Sequence, residues 1–405
     1  MRRFICLLAL LILFIGCPSA PKNSARIYIN QGDYIRAKEQ VHLALKQTPD
    51  DYELYAILMK AEIGLGNWID ASKAFKDAIK VDSSNTINYF LGDKKNISVY
   101  WQSLYNAAVA YQGQKNYDEA LANLQYTKII DPTNVSQYIL EGGMYSERGE
   151  KEKANKAFTQ ALSIDPENPE AYLLIGKSMF ESKMYDSALV KFNDAVKYFN
   201  IKYQRYAKIL FQNVPEVDKE LAQEIITLWA EQRNDELDQL IKVRLGFDAG
   251  LDAQRRNIES FYKVTDGLAR SYYFIGMTYY NQRNDDSALE NLLKSLEFMP
   301  NDLDALFYTG EITLRTKKYQ EAIRYFDKLT KLKKDDVYAW FYLGVSYSQL
   351  KDYKKAIEIY EDKVIVLDPK MINAYTNLAF AYRELGNNTK ALEYLMKAEE
   401  LQKEQ

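Results

Sequence analysis

The chain has 405 residues, with 53 Lys+Arg against 56 Asp+Glu and a formal net charge of -3. So near a balance excludes the basic stripe of a nucleic-acid binder or of a protein held to an anionic surface by charge. One His and two Cys, both Cys within the first 17 residues, exclude a His-paired metal centre, a Cys-ligated zinc site and a disulfide framework. Hydrophobic residues make up 47%, enough for a sizeable core, and only 17 Gly and 9 Pro favour helices with short connections.

The chain opens with the positive stretch Met1-Arg2-Arg3, and Phe4 to Gly16 then gives 13 residues without charge. That is short of the ~20 residues a spanning helix needs, but it matches the apolar core of a signal peptide. The run Leu13-Phe14-Ile15-Gly16-Cys17 resembles the lipobox of bacterial lipoproteins, with Phe14 in place of the usual Leu. The resemblance implies that residues 1–16 are a removed signal peptide and that Cys17 is acylated. Residues 17–24 then form the acylated Cys and a short tether. The chain is expected in the cell envelope, lipid-anchored and facing the periplasm, with inner or outer membrane left open. Cleavage after Ala20 is the alternative, and Pro21 disfavours it.

From there the same pattern recurs. A first unit near 18–51 carries Tyr34, Ala37, Ala44 and Pro49, and unit 52–85 carries Tyr55, Ala71, Phe75 and Ala78. Fifteen extra residues, 86–100, intervene and read as a loop or as an extension of the following helix. Units 101–134, 135–168 and 169–202 follow, with Gly142 and Gly176 34 residues apart and Ala120, Ala154 and Ala188 recurring at the same interval. After residues 203–268 the pattern resumes in units 269–302, 303–336, 337–371 and 372–405. Gly276, Gly310 and Gly344 are again 34 residues apart, each with a small residue twelve places on: Ala288, Ala322 and Ala356. Unit 337–371 runs one residue long before its Pro369.

Apolar residues at i, i+3, i+4 and i+7 lay one stripe on each of two helices per unit. Small residues let the two helices approach, and Asp-Pro pairs such as 131–132, 165–166 and 368–369 end second helices. With this spacing and these residues the sequence resembles the tetratricopeptide repeat family over most of its length. The resemblance implies an all-α, right-handed superhelical solenoid of about nine helix-turn-helix units. It also implies a concave groove lined by first-helix residues.

Residues 203–268 lack the signature yet have a helical pattern. Pro215 would open a helix whose apolar face carries Val217, Leu221, Ile225, Ile226, Leu228 and Trp229. The segment is either a pair of degenerate repeats or a helical hairpin that splits the array into arms 24–202 and 269–405.

Placed on the family's groove positions, Tyr273, Met277, Tyr280, Phe307, Leu314, Phe341 and Phe380 form an apolar, aromatic strip suited to a protein segment with apolar anchors. The alternative is that these residues pack against neighbouring helices. One subset of the family clamps a C-terminal carboxylate with Lys and Asn on this face, but here no fifth position of a first helix is Lys and no ninth position is Asn. His42 stands alone, no glycine-rich phosphate loop occurs, and charged pairs such as Asp235-Glu236 read as solvated faces. The expectation is a non-catalytic scaffold or adaptor without cofactor or metal, bound to protein through its groove and to a membrane through its lipid. The rival is a transport accessory holding a small apolar ligand.

Overall fold

The computed structural model describes residues 20–214, 219–247 and 250–404, and among them only helices and turns occur. The signal-peptide segment, Cys17, Pro215 and Val217 lie outside the described residues. By its internal contacts the chain divides into two compact units, Met1–Pro166 and Glu167–Gln405.

The first unit holds α1 (Ala20–Gln31), α2 (Tyr34–Leu45), α3 (Tyr52–Gly64), α4 (Trp68–Val81), α5 (Ser83–Gly92), α6 (Ile97–Gly113), α7 (Tyr117–Ile130), α8 (Val135–Glu147) and α9 (Lys151–Ile164). Aspartate and asparagine start many of these helices. Asp33, Asp51, Asp82, Asn116 and Asn134 each accept a hydrogen bond from a backbone N–H of the first turn, which satisfies a donor the helix itself leaves free. The extra residues 86–100 supply the end of α5, a turn and the start of α6. Phe90 of α5 is buried against Phe75 at 5.2 Å and Tyr100 at 4.8 Å, between ring centroids.

The turns between paired helices share one geometry. After the first helix one residue adopts a left-handed φ, and the next N–H reaches back five residues. Asn67 N donates to Glu62 O at 2.9 Å, Glu150 N to Tyr145 O at 2.8 Å, and Lys318 N to Thr313 O at 2.8 Å. Glycine supplies the left-handed residue at positions 32, 66, 149 and 386, whereas Lys115, Lys183, Arg283, Lys317 and Lys351 do so elsewhere.

The second unit begins with α10 (Pro169–Glu181) and α11 (Tyr185–Leu210), followed by α12 (Lys219–Ala230), α13 (Asn234–Val243) and α14 (Leu251–Asn281). The sequence boundaries 202/203 and 268/269 therefore fall inside two long helices. α11 and α14 pack along each other, and Gly267 sits on the ring of Phe199. Beyond them α12 and α13 form a hairpin with the same turn, with Gln232 left-handed and Arg233 N donating to Leu228 O at 3.0 Å. Its core of Leu221, Ile225, Leu237, Ile241 and Phe261 is buried, and Met299 packs against it.

The array continues with α15 (Asp285–Phe298), α16 (Leu303–Arg315), α17 (Tyr319–Leu332), α18 (Val337–Gln349) and α19 (Tyr353–Ile359). A π-helical turn, Tyr360–Val364, interrupts the second helix of unit 337–371, which ends with Ile365–Leu367. The surplus residue of that unit is taken up there. α20 (Ile372–Glu384) and α21 (Asn388–Lys403) close the described chain.

The repeat's small residues lie where helices touch. Ala120, Ala154, Ala188, Ala288, Ala322 and Ala356 are all buried. A Cβ at Gly142 would run into the ring of Phe158, and at Gly176 it would stand 2.6 Å from Phe192. At Gly276 it would meet Leu292 at 2.8 Å, at Gly310 Phe326 at 2.8 Å, and at Gly344 Tyr360 at 2.6 Å. No helix among the described residues is long and apolar enough to cross a membrane.

Candidate functional site

The first helices of successive repeats in the second unit carry aromatic residues at matched positions, because one repeat advances the same helix face by 34 residues. Tyr273 on α14, Phe307 on α16 and Phe341 on α18 are each half-buried. They meet through two further tyrosines. Tyr308 lies 6.5 Å from Tyr273 and 5.6 Å from Phe307, while Tyr342 lies 5.5 Å from Phe307 and 5.4 Å from Phe341, between ring centroids. These contacts are tilted or edge-on, with interplanar angles of 55°, 89°, 81° and 77°. The hydrogen-rich edge of one ring thus faces the electron-rich face of the next. The result is a continuous aromatic ladder across three first helices.

The other strip residues are distributed around it. Tyr280 joins the ladder at 5.3 Å from Tyr308, and its hydroxyl donates to Glu311 at 2.8 Å. Arg315 covers the Tyr280 ring at 4.8 Å and pairs with Asp285 at 2.5 Å. Leu314 is half-buried at the edge of the core. Met277, 8% exposed, is buried and offers no open surface. Phe380, 41% exposed, is set apart, with its ring 6.0 Å from Tyr353 and Arg383 above it at 5.3 Å. The sequence reading does not single out Tyr308 or Tyr342, although the 34-residue interval between them is the signal that marks them.

Next to Phe341 and Tyr342 a cleft of about 510 Å³ is also lined by Tyr338, Asp368, Lys370 and Asn373. Burial raises the pKa of the Tyr273 phenol, and the carboxylates of Asp304 and Asp302 add to the effect. The ladder tyrosines are therefore neutral donors at neutral pH.

Charged residues at the matching first-helix positions of earlier repeats are engaged within the protein. Glu53 pairs with Lys22 at 2.7 Å and Arg26 at 2.5 Å, Glu170 with Arg270 at 3.4 Å, and Lys177 with Glu181 at 3.9 Å. Lys60 pairs with Asp93 at 3.0 Å and lies over the rings of Tyr89 and Tyr100, at 4.8 and 5.6 Å. The Tyr100 hydroxyl donates to the same Asp93 at 2.5 Å. Burial opposes ionisation of Asp93, but bonds from Tyr100, Asn96 and Lys60 outweigh it and bring its pKa down to about 2. This cluster ties the extra residues 86–100 to α3. His42 is exposed. Among the described residues no group of three or more His, Cys, Asp or Glu could hold a metal ion.

Comparison with known proteins places the repeats. Tetratricopeptide repeat profiles match residues 102–129, 142–183 and 372–405, and a profile described as anaphase-promoting complex, cyclosome, subunit 3 matches 281–363. TPR repeat-containing protein MJ1428 of Methanocaldococcus jannaschii is 24% identical over 91% of this chain and 73% of its own. The CTR9 homolog of Arabidopsis thaliana is 23% identical over 90% of this chain, but the match spans only 36% of that protein. Among solved structures, pilF of Pseudomonas aeruginosa aligns with 71% of this chain and 96% of its own at 13% identity and a TM-score of 0.45. YrrB, described as a TPR protein with an unusual peptide-binding site, aligns with 62% and 95% at 18% identity and a TM-score of 0.39. The described residues are all-helical, and tetratricopeptide repeats are recognised within the chain at 102–129, 142–183 and 372–405.

Proposed function

We propose that the protein is a non-catalytic scaffold of the bacterial cell envelope. It is anchored through an acylated Cys17 and holds a protein segment in the groove of its second unit. The observation that carries the reading is the ladder Tyr273–Tyr308–Phe307–Tyr342–Phe341, continuous across three repeats and partly exposed along its length. A packed core hides its rings, whereas a row left partly exposed offers flat apolar area at little entropy loss on binding. Tyr hydroxyls beside the rings supply donors for a peptide backbone. The cleft beside Phe341 is lined by Asp368, Lys370 and Asn373, and this mixed polarity suits a peptide better than a small apolar molecule.

The docking half is tested by crosslinking in native cells with the wild type and with Y273A/F307A/F341A. A partner captured by the first and absent from the second is the expected result, and an identical set from both would sink it. The anchoring half is tested separately, by labelling with radioactive palmitate in a bacterial host. Label on the wild type but not on Cys17→Ser is expected, and label on neither would remove the anchor.

A further inference from the structure

The ladder ends at Tyr273 beside Asp302 and Asp304, and further carboxylates run on from there through Asp266 to Glu170. Glu170 comes from the start of α10, Asp266 from α14, and Asp302 and Asp304 from the start of α16. Arg270 lies between the first two, 3.4 Å from Glu170 and 3.6 Å from Asp266. No ion pair of the described residues reaches Asp302 or Asp304. The carboxylate of Asp302 caps α16 by accepting from Ala305 N at 2.7 Å, and Asp304 is exposed.

These acids are crowded but open. Burial raises the pKa of Glu170, Asp266 and Asp302; neighbouring carboxylates push Glu170 and Asp302 the same way, whereas Arg270 opposes the shift of Asp266. Yet the side chains of Glu170 and Asp266 are 35% and 37% accessible. Asp302 and Asp304, without an ion pair among the described residues, thus stand near the Tyr273 ring, and the exposed Asp304 is within reach of a ligand.

Both features favour the same chemistry. A carboxylate lacking a cation gains charge-assisted hydrogen bonds from a guanidinium or ammonium, and a Tyr ring face attracts the same cation. An acidic segment or a free C-terminal carboxylate would meet repulsion here. We propose that the segment held along the ladder carries an Arg or Lys whose cationic head seats over Tyr273 and Tyr308 and pairs with Asp302 and Asp304. The inference rests on the docking reading above and adds the charge of the partner to it.

A random peptide library displayed on phage is selected on the full chain, and enriched peptides are synthesised for fluorescence anisotropy at low and high salt. The expected peptides share an Arg or Lys next to apolar residues, and salt weakens their binding. D302N/D304N should weaken them about tenfold, the loss of one well-formed charge pair. Asn retains a capping oxygen at position 302, and Asp304→Asn alone, at an exposed position, should give part of the loss in a fold unchanged by circular dichroism.

Peptides that need Phe307 and Phe341 but carry no basic residue overturn the inference and leave the docking reading intact. So does equal affinity for D302N/D304N and wild type. If no enriched peptide depends on Phe307 and Phe341, the docking reading falls and the inference falls with it.

Discussion

At Gly176 the spacing of two helices is set by an absent methyl group. An added Cβ would stand 2.6 Å from the ring of Phe192, which is fully buried and has nowhere to retreat. Gly176→Ala is expected to destabilise the protein by about 1–3 kcal/mol in urea unfolding, the range for overpacked cores. Phe192→Leu should return part of that loss when combined with it. Asp93 makes a pH-dependent contribution. Its folded pKa of about 2 lies below the ordinary carboxylate value. Its stabilisation is therefore present above the unfolded pKa and is lost as pH falls towards the folded one. Asp93→Asn should cost about 1 kcal/mol at neutral pH after allowance for solvent screening. The gap between variant and wild type should close as pH falls from about 4 to about 2, which urea unfolding at stepped pH will read.

At the scale of elements, the π turn at Tyr360–Val364 joins a sequence irregularity to a structural one. Its consequence is the placement of Glu361, which accepts from the hydroxyls of Tyr382 and Tyr394, each at 2.7 Å. These bonds tie α20 and α21 to the bulged helix. Glu361→Ala leaves both hydroxyls without that acceptor and is expected to destabilise by about 1–3 kcal/mol. The loss should appear first as faster amide exchange in Asn388–Lys403. The extra residue itself is legible in the sequence, as one place too many before Pro369. The form it takes is not, because a loop or a lengthened turn would absorb one residue equally well. The lengths of α11 and α14 are hidden for another reason. The helical stripe continues past 202 and begins before 269 without the Gly and Ala that mark a repeat. Only the meeting of Gly267 with Phe199 shows the close approach being reused.

For the molecule as a whole, the 34-residue interval made the helix-turn-helix order readable from Gly and Ala alone, since close approach tolerates little else. The surroundings of the ladder were less readable. Asp302 and Asp304 look like ordinary charges on solvated faces until the packing of α14 and α16 brings them near the Tyr273 ring. The division into Met1–Pro166 and Glu167–Gln405 has an energetic counterpart. Stability in a repeat array is a sum of local and nearest-neighbour terms, so unfolding in urea should show more than one transition, with fluorescence and circular dichroism disagreeing at intermediate concentrations. Superimposable curves would contradict this.

The left-handed turns give these arrays a built-in ruler. Lys115, Lys183, Arg283, Lys317 and Lys351 are exposed at hairpin tips, and several are 34 residues apart. Trypsin cuts after lysine and arginine, but a closed tip does not fit its extended cleft. Each nick therefore reports that a hairpin has opened, at a rate that follows its local stability when reclosing is fast. Brief digestion becomes a map, in steps of one repeat, of which hairpins yield first. The tip built on Gly66, Leu65-Gly66-Asn67, carries no basic residue and stays silent.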